Sequence, residues 1–300
     1  MTNVMIGINP ITWSNDDMPE LGGDTPLEVC LAETRQAGYA GTEMGGKFPK
    51  TSAELRPILN KHGLRFVSGW FTGKALVHEV EKEFDLALPH LQLLKDMGCK
   101  YVVYADTSHG TQGEIDTPIS KGPRLPDNEW AGYGRKLTRL AEKMADFGVG
   151  MAVHHHMGTI IQSDQDIGNL MNFTGEAVGL LYDTGHCAFA GGNPLELVKK
   201  HVKRIKHVHC KDNRADRLKA ARAQDTSFLR AILAGVFTVP GDGATDYPPI
   251  LKVLAENGYE GWLVVEAEQD PKIAHPLTYA RMGFENLSRM AREAGFTVVE

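Results

Sequence analysis

Six of the twelve histidines, His154, His155, His156, His186, His207 and His209, fall between positions 154 and 209. Each sits at or just after a short apolar run, in VGMAVHHHM, YDTGH and RIKHVHC, and two acids close a further run in WLVVEAE. Imidazole and carboxylate are the side chains that both bind divalent cations and move protons at moderate pH. Gathered at strand ends, they predict metal-assisted acid–base chemistry.

Strand alternation sorts the candidates. Gly150 and Ala152 are in phase with His154 and His156, and their small size suits a crowded interior. Met151 and Val153 are in phase with His155, which suits a layer packed against helices. His154 and His156 are therefore predicted to point inward. The same rule places His207, His209 and Lys211 on one face, and Glu266 with Glu268 on another. Asp183 ends VGLLYD, with His186 three residues on in a loop.

Four strand ends thus deliver His154, Asp183, His209 and Glu266 to one mouth, a nitrogen and oxygen donor set suited to Mn²⁺, Co²⁺ or Zn²⁺. His156, His186 and Lys211 are the candidate base and acid. Glu43, in GTEMG, and Glu268 are candidates for orienting substrate hydroxyls or metal ligands, or are plain rim carboxylates. Trp13 and Trp70 either stack on a substrate ring or pack. His155, His62, His78, His90 and His201 read as structural or surface residues.

These positions need a scaffold, and the chain supplies a repeating one. Eight short runs rich in β-branched residues read as strands: 4 to 9, 39 to 44, 65 to 70, 100 to 105, 148 to 155, 178 to 183, 204 to 210 and 262 to 268. Helical periodicity fills 25 to 38, 52 to 63, 82 to 98, 128 to 147, 164 to 173, 194 to 202, 247 to 257 and 277 to 294. The first two helices open on Thr or Ser ahead of an acid, as a capping box does. QAGYAG, KHGLRF, DMGCKY, DFGVGM and ENGYEG place Gly where a helix stops before a strand. The expected fold is α/β, a single (β/α)8 TIM barrel over residues 1–300, with long βα loops at 106–127 and 211–246 that shape the site. A doubly wound open sheet is the alternative, disfavoured because no GxGxxG follows the first strand.

The composition of this 300-residue chain, 42% hydrophobic and 23% charged, is that of a globular protein with a large core. Its net charge of −6 with scattered basic residues gives no footprint for nucleic acid or for an anionic membrane. With no basic leader and no long apolar stretch, the protein is expected in the cytoplasm. Cys30, Cys99, Cys187 and Cys210 lack CxxC spacing and read as reduced thiols. Association into a homo-oligomer is left open.

The Asp-x-x-His of YDTGH, the His-x-His of HVHCKD and the Glu of GWLVVEAE resemble those of the xylose-isomerase-like barrel superfamily. More narrowly, INPITWSNDDMPELGG, HHHMGTIIQ, LLYDTGHCAFAGGNP, GVFTVPGDGATDY and YEGWLVVEAEQDP together resemble the inosose dehydratase family over nearly the full length. The resemblance implies a hydro-lyase of myo-inositol catabolism that dehydrates 2-keto-myo-inositol, scyllo-inosose, to a trihydroxycyclohexane-dione. It implies Mn²⁺ or Co²⁺ as cofactor, and glutathione by resemblance alone. A sugar or polyol isomerase or epimerase of the same fold is the alternative. In the superfamily the metal is held by Glu, Asp, His and Glu from four strands. This chain has His154 in HHHMGT where relatives carry Glu in a stretch like ENHGGT. His154 either takes over coordination, the favoured reading, or acts as acid or base with His156 as the ligand.

Overall fold

A computed structural model describes residues 2–299. The strands, in chain order, are β1 Asn3–Ile8, β2 Gly41–Thr42, β3 Arg65–Phe66, β4 Trp70–Gly73, β5 Tyr101–Asp106, β6 Gly150–His154, β7 Val178–Asp183, β8 Ile205–Cys210, β9 Asp212–Asn213, β10 Phe237–Thr238, β11 Gly261–Val265 and β12 Thr297–Val299. The main sheet runs β3-β2-β1-β11-β8-β7-β6-β5-β4, with every pairing parallel and β12 added beside β1.

β3 and β4 are two halves of one extended segment. Arg65 and Phe66 pair with β2, Trp70 to Gly73 pair with β5, and between them Met44 N–H donates to Ser68 O while Val103 N–H donates to Gly69 O. Hydrogen bonding therefore passes from one partner to the other along this segment. The sheet closes into an eight-strand parallel barrel, which leaves none of those eight strands as a free edge.

The helices are α1 Leu27–Gln36, α2 Ser52–His62, α3 Val80–Asp96, α4 Trp130–Phe147, α5 Asp164–Phe173, α6 Thr184–Phe189, α7 Pro194–His201, α8 Ala215–Ala223, α9 Phe228–Leu233, α10 Tyr247–Glu256 and α11 Pro276–Glu293. α4 shows the rule that sets the outer layer: Trp130, Tyr133, Leu137, Leu140, Ala141 and Met144 recur every three or four residues and are the buried face. Gly38, Gly63, Gly98, Gly148 and Gly258, the residues expected to end helices, all adopt positive φ. A continuous apolar core lies between sheet and helices, and Val103, Ala152 and Leu181 form a separate apolar plug on the barrel axis. Among the described residues no helix is long and apolar enough to cross a membrane.

Several boundaries differ from expectation. The second strand keeps only Gly41 and Thr42 in the ladder, and the last ends at Val265, so Glu266 to Glu268 run on without ladder partners. α1 is preceded by Pro26 with no side-chain cap, so the box expected at Thr25 is absent. α2 is capped by Thr51, one residue before the Ser52 expected to open it, and a full capping box that the pattern did not single out joins Ser163 to Asp166 at α5. The excursion after β8 is not a plain loop, because it folds β9, α8, α9 and β10. It is tied to the stretch after β5 by Ser227 Oγ donating to Ile115 O at 2.5 Å, by Ser120 N–H donating to Asp225, and by the Arg230–Asp116 ion pair.

Candidate metal centre and active site

At the C-terminal ends of the barrel strands the ligand atoms of His154, Asp183, His209 and Glu266 lie within 4.8 Å of one another, all buried. His154 Nε2 is 3.7 Å from Asp183 Oδ2, and His209 Nδ1 is 3.5 Å from Asp183 Oδ2 and 2.6 Å from Glu266 Oε2. Asp183 Oδ2, His209 Nδ1 and Glu266 Oε2 nonetheless have no hydrogen-bond partner. The short approach of His209 to Glu266 lacks hydrogen-bond geometry, so the three atoms lie side by side without a hydrogen bond, with Lys211 Nζ 3.3 Å from Glu266 Oε2. Stranding buried polar atoms this way is costly unless something charged sits among them.

Each histidine of the set is already turned for coordination. His154 Nδ1 donates to the His155 carbonyl at 2.7 Å, which leaves the Nε2 lone pair toward Asp183. His209 directs Nε2 at Glu43 Oε1, 3.2 Å away, which leaves Nδ1 toward Asp183 and Glu266. Glu43 itself accepts from His207 Nε2 at 2.7 Å and from Asn9 Nδ2 at 2.9 Å. Outer carboxylates and carbonyls that fix tautomers in this manner are what metal-bound imidazoles require. The donor set therefore fits a borderline divalent ion.

Asp183 does two things at once. Its Oδ1 accepts the His186 N–H at 2.8 Å and caps α6, so the Asp-x-x-His pattern is a helix start and His186 lies in the first turn rather than in a loop. Its own N–H donates to His155 Nε2 at 3.1 Å, so the outward-facing His155 buttresses the strand end.

Beside the ligand cluster stands a second group, His156, His186, Lys211 and Glu268. The His156 and His186 rings are 3.9 Å apart, Lys211 Nζ is 3.1 Å from His186 Nε2, and Lys211 donates to Glu268 Oε1 at 2.6 Å. Burial lowers the His156 imidazole to about 4, helped by the Lys211 charge, while its Nδ1 donates to the Met157 carbonyl at 2.8 Å. His156 is therefore neutral with a free Nε2. Burial also pulls the Lys211 ammonium down, but the carboxylates of Glu266, Glu268 and Asp183 outweigh it and hold the cation. Burial pushes the Glu268 carboxyl up against the pull of Lys211. At Glu43 the order reverses: burial would raise the carboxyl, yet His209 and His207 keep it well below the usual range.

Above both groups opens a cavity of about 620 Å³ whose lining includes Asn9, Asp17, Trp70, Gln112, His156, Glu266 and Glu268. Trp70 is 37% exposed and sets its ring edge-on to His154 and His156 at 5.5 and 5.4 Å. Trp13 is elsewhere: it is buried and donates to Glu33 Oε2 at 2.6 Å, so it packs and does not face a ligand. Glu43 lies below the cavity and reaches it only through its partners. Phe228 and Phe237, from the excursion after β8, cover the imidazoles of His156 and His186. Nothing in their sequence context marks them, since an isolated Phe in a long connection reads as packing. Asn9 had a detectable signal, being in phase with Gly7 at the end of the first strand.

The sequence profile of the xylose isomerase-like TIM barrel family matches residues 31–290. The rhizopine catabolism protein MocC of Rhizobium meliloti is 62% identical over 99% of this chain and 91% of its own. The inosose dehydratase of Clostridium botulinum (strain Alaska E43 / Type E3) is 44% identical over 96% of this chain and 97% of its own. Among solved structures, the IOLI protein with a bound zinc atom superposes with a TM-score of 0.66 at 18% identity, covering 98% of this chain and 99% of that one. With the profile spanning the barrel and relatives this close along nearly the whole length, the chain belongs to the xylose isomerase-like TIM barrel family.

Proposed function

We propose that the chain is an inosose dehydratase, a hydro-lyase that removes water from 2-keto-myo-inositol, with a divalent cation held by His154, Asp183, His209 and Glu266. The near-full-length likeness to curated inosose dehydratases supports the activity. The observation that carries the chemistry is the set of orphaned, converging ligand atoms at the foot of a polar cavity that is open to solvent. Mn²⁺ or Co²⁺ is the cation expected, with Zn²⁺ the third candidate. When bound, such an ion supplies Lewis acidity toward a ketone oxygen and an adjacent hydroxyl.

The residues around it can manage the protons. His156, with Nδ1–H committed to Met157, offers Nε2 as the base for the proton on the carbon α to the ketone. As that electron pair forms the new double bond, the C–O bond at the β carbon breaks and the departing hydroxide needs a proton. Lys211 and Glu268 form the donor pair, and the Glu268 oxygen not used by Lys211 has no other partner. His186 lies between base and donor pair and links them. Trp70 offers its half-exposed ring to the C–H face of the substrate, while Phe228 and Phe237 keep water from the imidazoles. Glu43 acts by positioning His209 and His207.

The test is turnover of 2-keto-myo-inositol by the metal-loaded protein, followed by mass and absorbance. Loss of one water with growth of the dione absorbance is expected. A product of unchanged mass would mean isomerisation and would sink the dehydratase reading. The 62% identity to MocC favours a second reading, action in rhizopine catabolism, and a direct comparison of rhizopine and inosose as substrates separates the two.

A further inference from the structure

The end of the barrel opposite the mouth is not sealed. A cavity of about 370 Å³ opens there among the first residues of the strands, roofed by His207 and walled by Trp262. Its lining carries four cations, Arg56, Arg65, Lys100 and Lys206, against a single acid, Glu260. Some exposed cations of this chain pair with carboxylates, as in Lys61 with Glu28 and Arg230 with Asp116, while others stand in solvent without one. None of these four pairs with a carboxylate among the described residues: Arg56 donates to the Asp96 backbone carbonyl and Arg65 rests on the Met5 sulfur.

The barrel is shaped to keep these side chains where they are. A Cβ added to Gly41 would come 2.8 Å from the Trp262 ring, and one added to Gly179 would come 2.4 Å from Lys206 Cγ. The indole and the lysine stem each lie over bare backbone that any other residue would fill. A chain of net charge −6 thus lines one cavity with four cations that have no carboxylate partner, a lining that attracts an anion. The volume falls in the range of small-molecule sites. Arginine and lysine together select phosphate, and an indole face selects a flat ring.

We infer that the N-terminal end of the barrel binds a small phosphate monoester of the nucleotide class, with its phosphate among Arg65, Lys206 and their neighbours and its base against Trp262. The metal cluster takes no part in this site. The experiment is calorimetric titration of the metal-loaded protein with AMP, inorganic phosphate and adenosine at low and high salt. AMP is expected to bind saturably, more tightly than either fragment, and to weaken as salt rises. The double variant Arg65→Ser/Lys206→Ser should weaken AMP by about tenfold or more while metal content and turnover stay at the level of the parent. Should that variant fail to fold, Lys206→Gln and Lys100→Gln measured singly make the same comparison. The inference is overturned by absence of saturable AMP binding up to about 1 mM, or by binding that the charge-removing variants leave unchanged. It is equally overturned by binding lost in Asp183→Asn alone, which would place the anion at the metal, or by phosphate binding as tightly as AMP.

Discussion

The two ends of this barrel hold charge in opposite ways. At the mouth, His154, Asp183, His209 and Glu266 are at most 7% exposed, and every charge there faces a neighbour of opposite sign or an orphaned ligand atom. At the other end, Arg56, Arg65 and Lys100 are exposed at one cavity, and among the described residues no acid is paired to them. Water explains why both are tolerated. A buried ion must be compensated within the fold because the interior screens poorly, whereas exposed cations are hydrated and can wait for a ligand. On the two proposals above, the mouth is completed by a cation and the opposite end by an anion.

The sharpest way to break this contrast is at the mouth. Asp183→Asn removes a ligand charge and should cut bound metal, read by elemental analysis, and lower turnover by about 10³-fold or more, as expected when metal-derived stabilisation is lost. Equal activity in the variant would move the metal elsewhere. Lys211→Met should retain the metal but lower kcat by roughly 10²- to 10³-fold, the usual contribution of a positioned acid. It should also lower the melting temperature, since the buried Glu268 loses its partner.

At the opposite end the effects are smaller and structural. Gly41→Val forces a side chain against the Arg65 carbonyl and the Trp262 ring and should destabilise by about 1–3 kcal/mol, measured by urea unfolding, with the metal content of the folded fraction unchanged. Trp70→Ala, back at the mouth, should raise KM by about tenfold with little change in stability, because a half-exposed ring contributes contact more than core. The smallest effect is a null one that separates both ends from thiol chemistry. Burial pushes Cys30 and Cys99 up to about 12. The folded protein at pH 8 should react with iodoacetamide only as fast as it unfolds, although Cys99 lines the lower cavity. Rapid alkylation of the native state would contradict that burial.

Much of the fold was legible because it is written in local periodicities. The eight strands, the helices between them and the helix-ending glycines depend on contacts within a few residues. Alternation along VGMAVHHH and RIKHVHC likewise orders side chains by face without knowledge of the partner strands. The alternation rule held past the end of the ladder, where Glu266 and Glu268 both reach the site although neither is paired. It did not reveal that β3 and β4 share one segment, because that depends on which partner each half meets.

Residue type and spacing alone determined that this protein is an α/β barrel with imidazoles and carboxylates at one end, since periodicity and strand parity are properties of the chain. Only the tertiary structure decided what those groups do to one another. His154 points Nε2 at Asp183 because the His155 carbonyl takes Nδ1–H. His186 belongs to a helix because Asp183 caps it, Trp13 is removed from the site by Glu33, and Phe228 arrives from about 70 residues beyond His156 to cover it, while Phe237 covers His186. The Trp13 and phenylalanine contacts join residues 20 to 72 positions apart, and the Nε2 of His154 meets Asp183 across two strands. Such contacts are set by closure of the barrel, and no local pattern encodes them.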